Sequence, residues 1–337
     1  MKETEFNSDL LDSVLGDDFL PSASEEDKIP LLELREGEID PRYLRSSYST
    51  GMLLHKCPRK FQLKCLSTEK SEDISTNITF AFGHAVGYGI AELVSGTAWN
   101  QVMLGMFLQW DVDYLAENDK QKKSFALAVH AIQMFRDRME SGYLEEYDIA
   151  RWKDKPAVEL SFRVEIPGRY GTHTYRGYLD AVLRHRATGE LVVLENKTSS
   201  GTWVNHYQYK NSAQALGYSV VLDALEGELS AYEVLYNIYM TKLMRYEDFP
   251  FQKTYHMRSL WVRDLLWDVQ TVETLVEQEG NYGIWPMRGE SCTDFGRACE
   301  YMDICQFDTR NLMKPLRESH VAEDTEYDIE VKVEDLI

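Results

Sequence analysis

Residues 175–199, YRGYLDAVLRHRATGELVVLENKTS, alternate apolar and polar positions on either side of RATG, as two strands of a β-hairpin do. With the turn centred between Ala187 and Thr188, Asp180 falls opposite Glu195. Directly opposed residues carry their Cβ atoms about 5 Å apart. Lys197, two residues beyond Glu195, projects from the same face, because strand side chains alternate. Val192, Leu194, Ala181 and Leu179 are expected to point the other way, into a core. A one-residue bulge at Gly189 would break this register. Two carboxylates this close repel unless positive charge lies between them. A hard cation such as Mg²⁺ or Mn²⁺, which takes one or two carboxylates and otherwise water and phosphate, fits that need. Such a cation lowers the pKa of a bound water and stabilises charge on a phosphoryl group. Lys197 is then placed to orient the attacking water or to stabilise an anionic transition state.

Working outward, AVELSFRVEI before the hairpin alternates as a further strand. A helix is expected over roughly 205–225, then two strands in AYEVLYNIYMTK and FQKTYHM, then a long helix over 259–279. Upstream, 46–66 suits a helix with Pro58 as a bend or a start, and 80–95, 99–116 and 120–141 carry helical periodicity. The fold class is α/β: a central mixed β-sheet flanked by helices, with an N-terminal helical region and a C-terminal cysteine-bearing loop. The expected divisions are an acidic tail (1–40), a helical region (41–155), a core (156–280), a cysteine loop (281–310) and a second acidic tail (311–337).

The chain has 337 residues, 44% hydrophobic and 27% charged, which excludes a wholly disordered chain. No apolar run reaches the roughly 20 residues that span a bilayer. The first residues, MKETEFNSDLLDS, lack the basic-then-apolar order of a secretory signal. A cytoplasmic setting without membrane contact is expected. The net charge of −20 argues against nucleic acid, but its distribution does not. Residues 1–40 carry −10 and residues 317–337 carry −6, which leaves −4 on the body. The two ends read as disordered or partner-binding tails.

The spacing E-x-K is weak alone. Glu26-Asp27-Lys28 and Glu330-Val331-Lys332 also match it, and a strand-borne copy is usually a solvated ion pair. The copy at Glu195 gains weight from GYLD before it and from the helix after it, where Gln214 and Tyr218, four apart, share a face. In this order of motifs the sequence resembles the PD-(D/E)XK nuclease superfamily in its RecB-like branch. The resemblance implies a restriction-endonuclease-like core and metal-dependent hydrolysis of DNA, most simply as an exonuclease in a prokaryotic cell or phage-infected host. It assigns metal ligation to Asp180 and Glu195, a catalytic role to Lys197 and a supporting, DNA-proximal role to Gln214 and Tyr218. The branch also carries a helical histidine where this chain has Gly87; His84, three residues earlier, is the substitute candidate ligand. Glu159 reads as a surface carboxylate, or as a further acid near the site.

Of five cysteines, Cys292, Cys299 and Cys305 crowd into one loop. With no sign of secretion this suggests metal rather than disulfides. Cys57, in CPRKFQL, is the candidate fourth ligand, and Cys65 is expected in the core. Four thiolates suit a [4Fe–4S] cluster or Zn²⁺. The resemblance extends to CRISPR-associated adaptation nucleases and to AddB-type and phage-encoded exonucleases, which implies the iron–sulfur form. Lys56, Arg59, Lys60 and Lys64 recur at helical spacing as one basic face for DNA phosphates. Trp203, Tyr207 and Tyr209 follow the E-x-K strand, where they pack or stack on bases of single-stranded ends. A second reading keeps the fold but retires the catalysis, leaving a DNA-binding or partner-binding subunit that uses the acidic tails.

Overall fold

The computed structural model describes residues 34–35, 37–66, 77–113, 117–226, 231–294, 297–307 and 326–336. The helical region comprises α1 (Tyr48–Lys56), α2 (Pro58–Leu66), α3 (Ile78–Val94), α4 (Trp99–Leu108) and α5 (Phe125–Glu140). The core then runs β1 (Val158–Gly168), β2 (Gly171–His185), β3 (Leu191–Ser199), α6 (Ala213–Glu226), β4 (Tyr232–Met240), β5 (Arg245–Lys253) and α7 (Tyr255–Glu279). This is the expected order. Of the two roles open to Pro58, bend or start, it takes the second: it begins α2, because it has no N–H to give and forces Cys57 into an extended conformation (φ −159°, ψ 105°). Ser47 starts α1 with a capping box, its hydroxyl accepting from Thr50 N while Thr50 Oγ1 accepts from Ser47 N at 2.7 Å.

The main sheet has the order β6-β1-β2-β3-β4-β5, where β6 is Ile329–Lys332. β1–β2, β2–β3 and β4–β5 are antiparallel, while β3–β4 and β6–β1 are parallel. The β3–β4 pair requires a crossover, which α6 provides. One face of the sheet is covered by α6 and α7, through Val193, Val221, Tyr236, Ile238 and Trp261. The other is covered by α3 and α5, through Phe82, Ile132, Phe135, Leu194 and Leu235. A third cluster joins the N-terminal helices to the end of α7, with Tyr43, Phe61 and Trp285 stacked together. Among the described residues no helix is long and apolar enough to cross a membrane.

The C-terminal end is not a tail. Ile329, Val333 and Leu336 are buried, and β6 lies parallel on β1. Asp328 Oδ2 accepts from Ser161 N at 3.0 Å and from Ser161 Oγ at 2.8 Å. The dense charge hid an alternation of apolar residues (Tyr327, Ile329, Val331, Val333) that fits an edge strand. At the other end Ile39 and Asp40 are buried, so the fold begins before residue 41. The tail assignments for 1–33 and 311–325 lie outside the described residues. Ile329→Ala is expected to cost about 3 kcal/mol in urea unfolding, the range for emptying a core position. A free tail would show no change.

Candidate active site

The β2–β3 ladder pairs Ala181 with Leu194 and Val182 with Val193, the register expected from the turn. It stops at the level where Asp180 would face Glu195. There the Asp180 carboxylate replaces a backbone acceptor: Oδ2 takes the N–H of Asn196 at 2.7 Å. The strands part at this level, and the neighbouring β1–β2 ladder is interrupted at the same place. It pairs Val158 with Ala181 and Leu160 with Leu179, but skips Glu159 and Asp180. Glu159 stands in the left-handed region at φ 49°, a conformation that costs a non-glycine residue on the order of 1–3 kcal/mol. Across this point both strands change face. Val158 and Ala181 pack toward α3 and α5, whereas Leu160 and Leu179 pack toward α6 and α7. The expectation for Leu179 is thereby corrected; Val192, Leu194 and Ala181 share the α3–α5 layer as expected.

Glu195 is fully buried and neither of its oxygens accepts a hydrogen bond. Lys197 Nζ, partly exposed, lies 2.5 Å from Oε1 as an ion pair without hydrogen-bond geometry. Burial, followed by the charge of Asp180, pushes the Glu195 carboxyl up to about 8, against the pull of Lys197. Burial also raises Asp180, with Lys197 and the Asn196 N–H acting against it. Burial works against the charge on Lys197, but Glu195 and Asp180 outweigh it and raise its pKa. Glu159 is raised to about 7 by burial and then by Asp180. It keeps an exposed surface, which limits the effect of burial and leaves the Asp180 charge as the informative cause. Asp180 and Glu195 therefore share the Lys197 ammonium, and Glu159 is coupled to them by charge. The positive φ of Glu159 leaves no mark in the residue pattern.

Gln214 Nε2 donates to Tyr218 OH, so the two share a face of α6 as expected. The Tyr218 hydroxyl is raised well above its ordinary pKa by burial and then by Glu195 and Asp180, which places it beside the carboxylates. His84 is exposed on α3, whose buried side packs against the sheet face opposite Glu195. It makes no hydrogen bond or ion pair among the described residues.

Divalent-cation chemistry suits this donor set. Neither buried oxygen of Glu195 has a partner in hydrogen-bond geometry, Lys197 approaches only Oε1, and negative charge outnumbers positive. Among the described residues no three His, Cys, Asp or Glu side chains close to metal-holding distance. A hard cation takes one or two carboxylates and completes its shell with water and phosphate.

Cys57, Cys292, Cys299 and Cys305 line one cavity of about 360 Å³, together with Lys60, Leu63 and Tyr301. All are free thiols. Cys65 lies apart, packed beside the third hydrophobic cluster, and burial pushes its thiol up to about 12. The basic face is corrected by the structure. Arg59 is fully buried and donates to Cys305 O at 2.9 Å, to Phe307 O at 2.5 Å and to Gln62 Oε1 at 2.5 Å. The cause is the packing of the cysteine loop onto α2, which turns that side of the helix inward. Lys56 is exposed, Lys60 is half-buried near Glu300 at 3.9 Å, and Lys64 is half-buried. Trp203 and Tyr207 are exposed, while Tyr209 packs on Tyr236 with centroids 4.7 Å apart.

Comparison with curated proteins finds no match. Among solved structures, the chain is similar to a candidate exonuclease from Eubacterium rectale at 13% identity and a TM-score of 0.44, covering 87% of this chain and 100% of that one. It is also similar to the protein SSO0001 at 14% identity and a TM-score of 0.27, covering 54% of this chain and 75% of that one. The family model of the PD-(D/E)XK nuclease superfamily matches residues 45–306, a span that holds Cys57 through Cys305 and the carboxylate–lysine group between them, and the chain belongs to that superfamily.

Proposed function

We propose that this protein is a metal-dependent DNA nuclease, acting from ends as an exonuclease. The observation that carries the reading is Glu195: a buried carboxylate with no hydrogen bond, beside Asp180 and the Lys197 ammonium. Asp180 and Glu195 would hold Mg²⁺ or Mn²⁺, which when bound supplies Lewis-acid polarisation of the phosphate and an acidified water. Asp180 Oδ2 is occupied by the Asn196 N–H, which leaves its other oxygen for the cation. Lys197 reaches the same place from the same strand and would stabilise charge on the phosphoryl oxygens. Glu159 adds a carboxylate at the exposed edge. Gln214 and Tyr218 would steady that wall of the site, and Lys56, Lys60 and Lys64 would meet DNA phosphates.

The four cysteines would hold a [4Fe–4S] cluster or Zn²⁺, a structural centre that ties the C-terminal loop to Cys57. The supporting observation is the single cavity that all four thiols line. Four soft sulfur donors suit either group.

Asp180→Ala, Glu195→Ala and Lys197→Ala are each expected to cut Mn²⁺-supported cleavage of end-labelled DNA by on the order of 10³-fold, with cooperative unfolding preserved. Wild-type cleavage by Lys197→Ala would overturn the assignment, and metal-independent DNA binding without cleavage by the native protein would favour a retired nuclease.

Proton linkage gives a second test. A carboxyl raised on folding contributes stability that is complete below its unfolded pKa and is lost as pH rises through its folded value. For Glu195 that window runs from about 4.3 up to about 8. Bound Mn²⁺ needs the carboxylate, so it should raise the melting temperature more at about pH 8.5 than at about pH 6. An equal shift at both pH values, or an unchanged shift in Glu195→Gln, rules out Glu195 as the group responsible.

Cys57→Ser is expected to lower the iron or zinc content of anaerobically purified protein and to remove any brown colour. Full metal content in that variant would exclude Cys57 as a ligand.

A further inference from the structure

A row of polar side chains crosses the sheet within an otherwise apolar layer. Asn196 on β3 is the direct partner of Asn237 on β4, and Asn237 is the direct partner of Asp248 on β5. Directly paired residues point to the same side of a sheet. Here that side is the face under α3 and α5, where Leu194, Leu235 and Tyr239 are buried. Arg138 descends from α5 to close the row. Its Nη1 donates to Asn237 Oδ1 at 2.9 Å, and its guanidinium pairs with Asp248. Tyr143 OH donates to the other Asp248 oxygen at 2.9 Å, and its ring lies 3.8 Å beneath the guanidinium. Asn237 Nδ2 in turn donates to Asn196 Oδ1 at 2.8 Å. The backbone N–H of Asn196 ends the chain on Asp180 Oδ2.

Asn237 is fully buried. An amide there costs more than an apolar side chain unless every group is paired, and aliphatic residues would hold this layer together as well. The row lies at the level of Glu195 and Lys197, on the opposite face of the same strand. Side chains of one residue and the next leave a strand in opposite directions, so fixing the amide of Asn196 also fixes the backbone from which Glu195 and Lys197 project.

We propose that Arg138 and Asn237 are positioning residues for the metal-holding carboxylate. They clamp Asn196 so that its N–H holds one oxygen of Asp180 and leaves the other turned toward the cation. The proposal rests on the reading of Asp180 and Glu195 as the metal site.

The test is Mn²⁺ binding by calorimetry on the full chain, alongside urea unfolding. Asn237→Asp keeps the side-chain shape and strengthens the bond to Arg138, but it turns an oxygen toward Asn196 Oδ1 in place of a donor. Mn²⁺ affinity is expected to fall roughly tenfold or more, as when partners of metal ligands are removed, with cooperative unfolding retained. Arg138→Met should weaken binding in the same direction. Arg138→Lys should recover only part of it, because an ammonium group lacks the two-pronged geometry. Tyr143→Phe, which removes one outer hydroxyl, provides a mild variant should the others fail to fold, and a smaller loss of affinity is expected. Variants that unfold more easily yet bind Mn²⁺ as the native protein does would make the row structural only and overturn the proposal. Native protein that takes up no Mn²⁺ would overturn the metal site itself along with it.

Discussion

A carboxylate sealed from water, with neither oxygen hydrogen-bonded, is the most demanding feature of this fold. Glu195 satisfies that description, and the surrounding architecture can be read as what keeps it in place. Unpaired, such a group takes up a proton or collapses onto the nearest cation. Here it does some of each: the carboxyl is raised, and Lys197 approaches one oxygen. Closing the β2–β3 ladder one level further would drive Asp180 and Glu195 together with nothing between them. The ladder instead opens there, and the Asp180 carboxylate takes over a backbone N–H. The strained backbone at Glu159 belongs to the same distortion, since it lets β1 and β2 exchange faces together. Strain of this kind persists only where the packing on both sides leaves no cheaper arrangement, and hydrophobic layers on both faces of the sheet provide that packing.

The two faces of β3 divide the work. Toward α6 and α7 it presents the carboxylate and the ammonium group; toward α3 and α5 it presents leucine, asparagine and threonine. The parallel pairing with β4 brings Tyr236 beside Glu195 and Asn237 beside Asn196. One register therefore serves both the site and the row that braces it. A slip by one residue would exchange the faces and bury Lys197 in the apolar layer. The pairing is held by the full length of β4, by α6 as the crossover and by the interlocked polar row.

Much of this was legible in the sequence. Alternation on either side of a short turn sufficed to set Ala181 against Leu194 and Val182 against Val193, although the ladder ends there and does not go on to pair Asp180 with Glu195. The spacing of Gln214 and Tyr218, and the separation of Cys65 from the other cysteines, followed from equally local rules. What escaped were features set by tertiary contacts. Charge density disguised the last strand, although Tyr327, Ile329, Val331 and Val333 alternate. Helical spacing grouped Arg59 with three lysines, but spacing does not say which side of a short helix another segment will cover. The left-handed turn at Glu159 left no trace, since glutamate is an ordinary strand residue and its backbone is bent by its neighbours. Asn196 stood inside the E-x-K motif as its unspecified position, and its importance depends on Asn237, forty-one residues away.

Arg59 links the two halves of the molecule by the same physics that governs Glu195. Its buried charge is met by carbonyl oxygens of Cys305, Phe307 and Gly283, which fasten the C-terminal loop to α2 without any metal. The loop so fastened brings Cys305 toward Cys57 and Cys299. Burial raises the Cys305 thiol, Arg59 opposes that rise, and the two neighbouring cysteines add to it. Sulfur ligands bind metal as thiolates, so the burial of Cys305 works against that form and Arg59 works for it. In both places the fold supplies one basic side chain, Lys197 beside the buried carboxylates and Arg59 beside Cys305. At the carboxylates the pull of Lys197 still leaves Asp180 and Glu195 both raised, and that imbalance is what a bound cation would relieve.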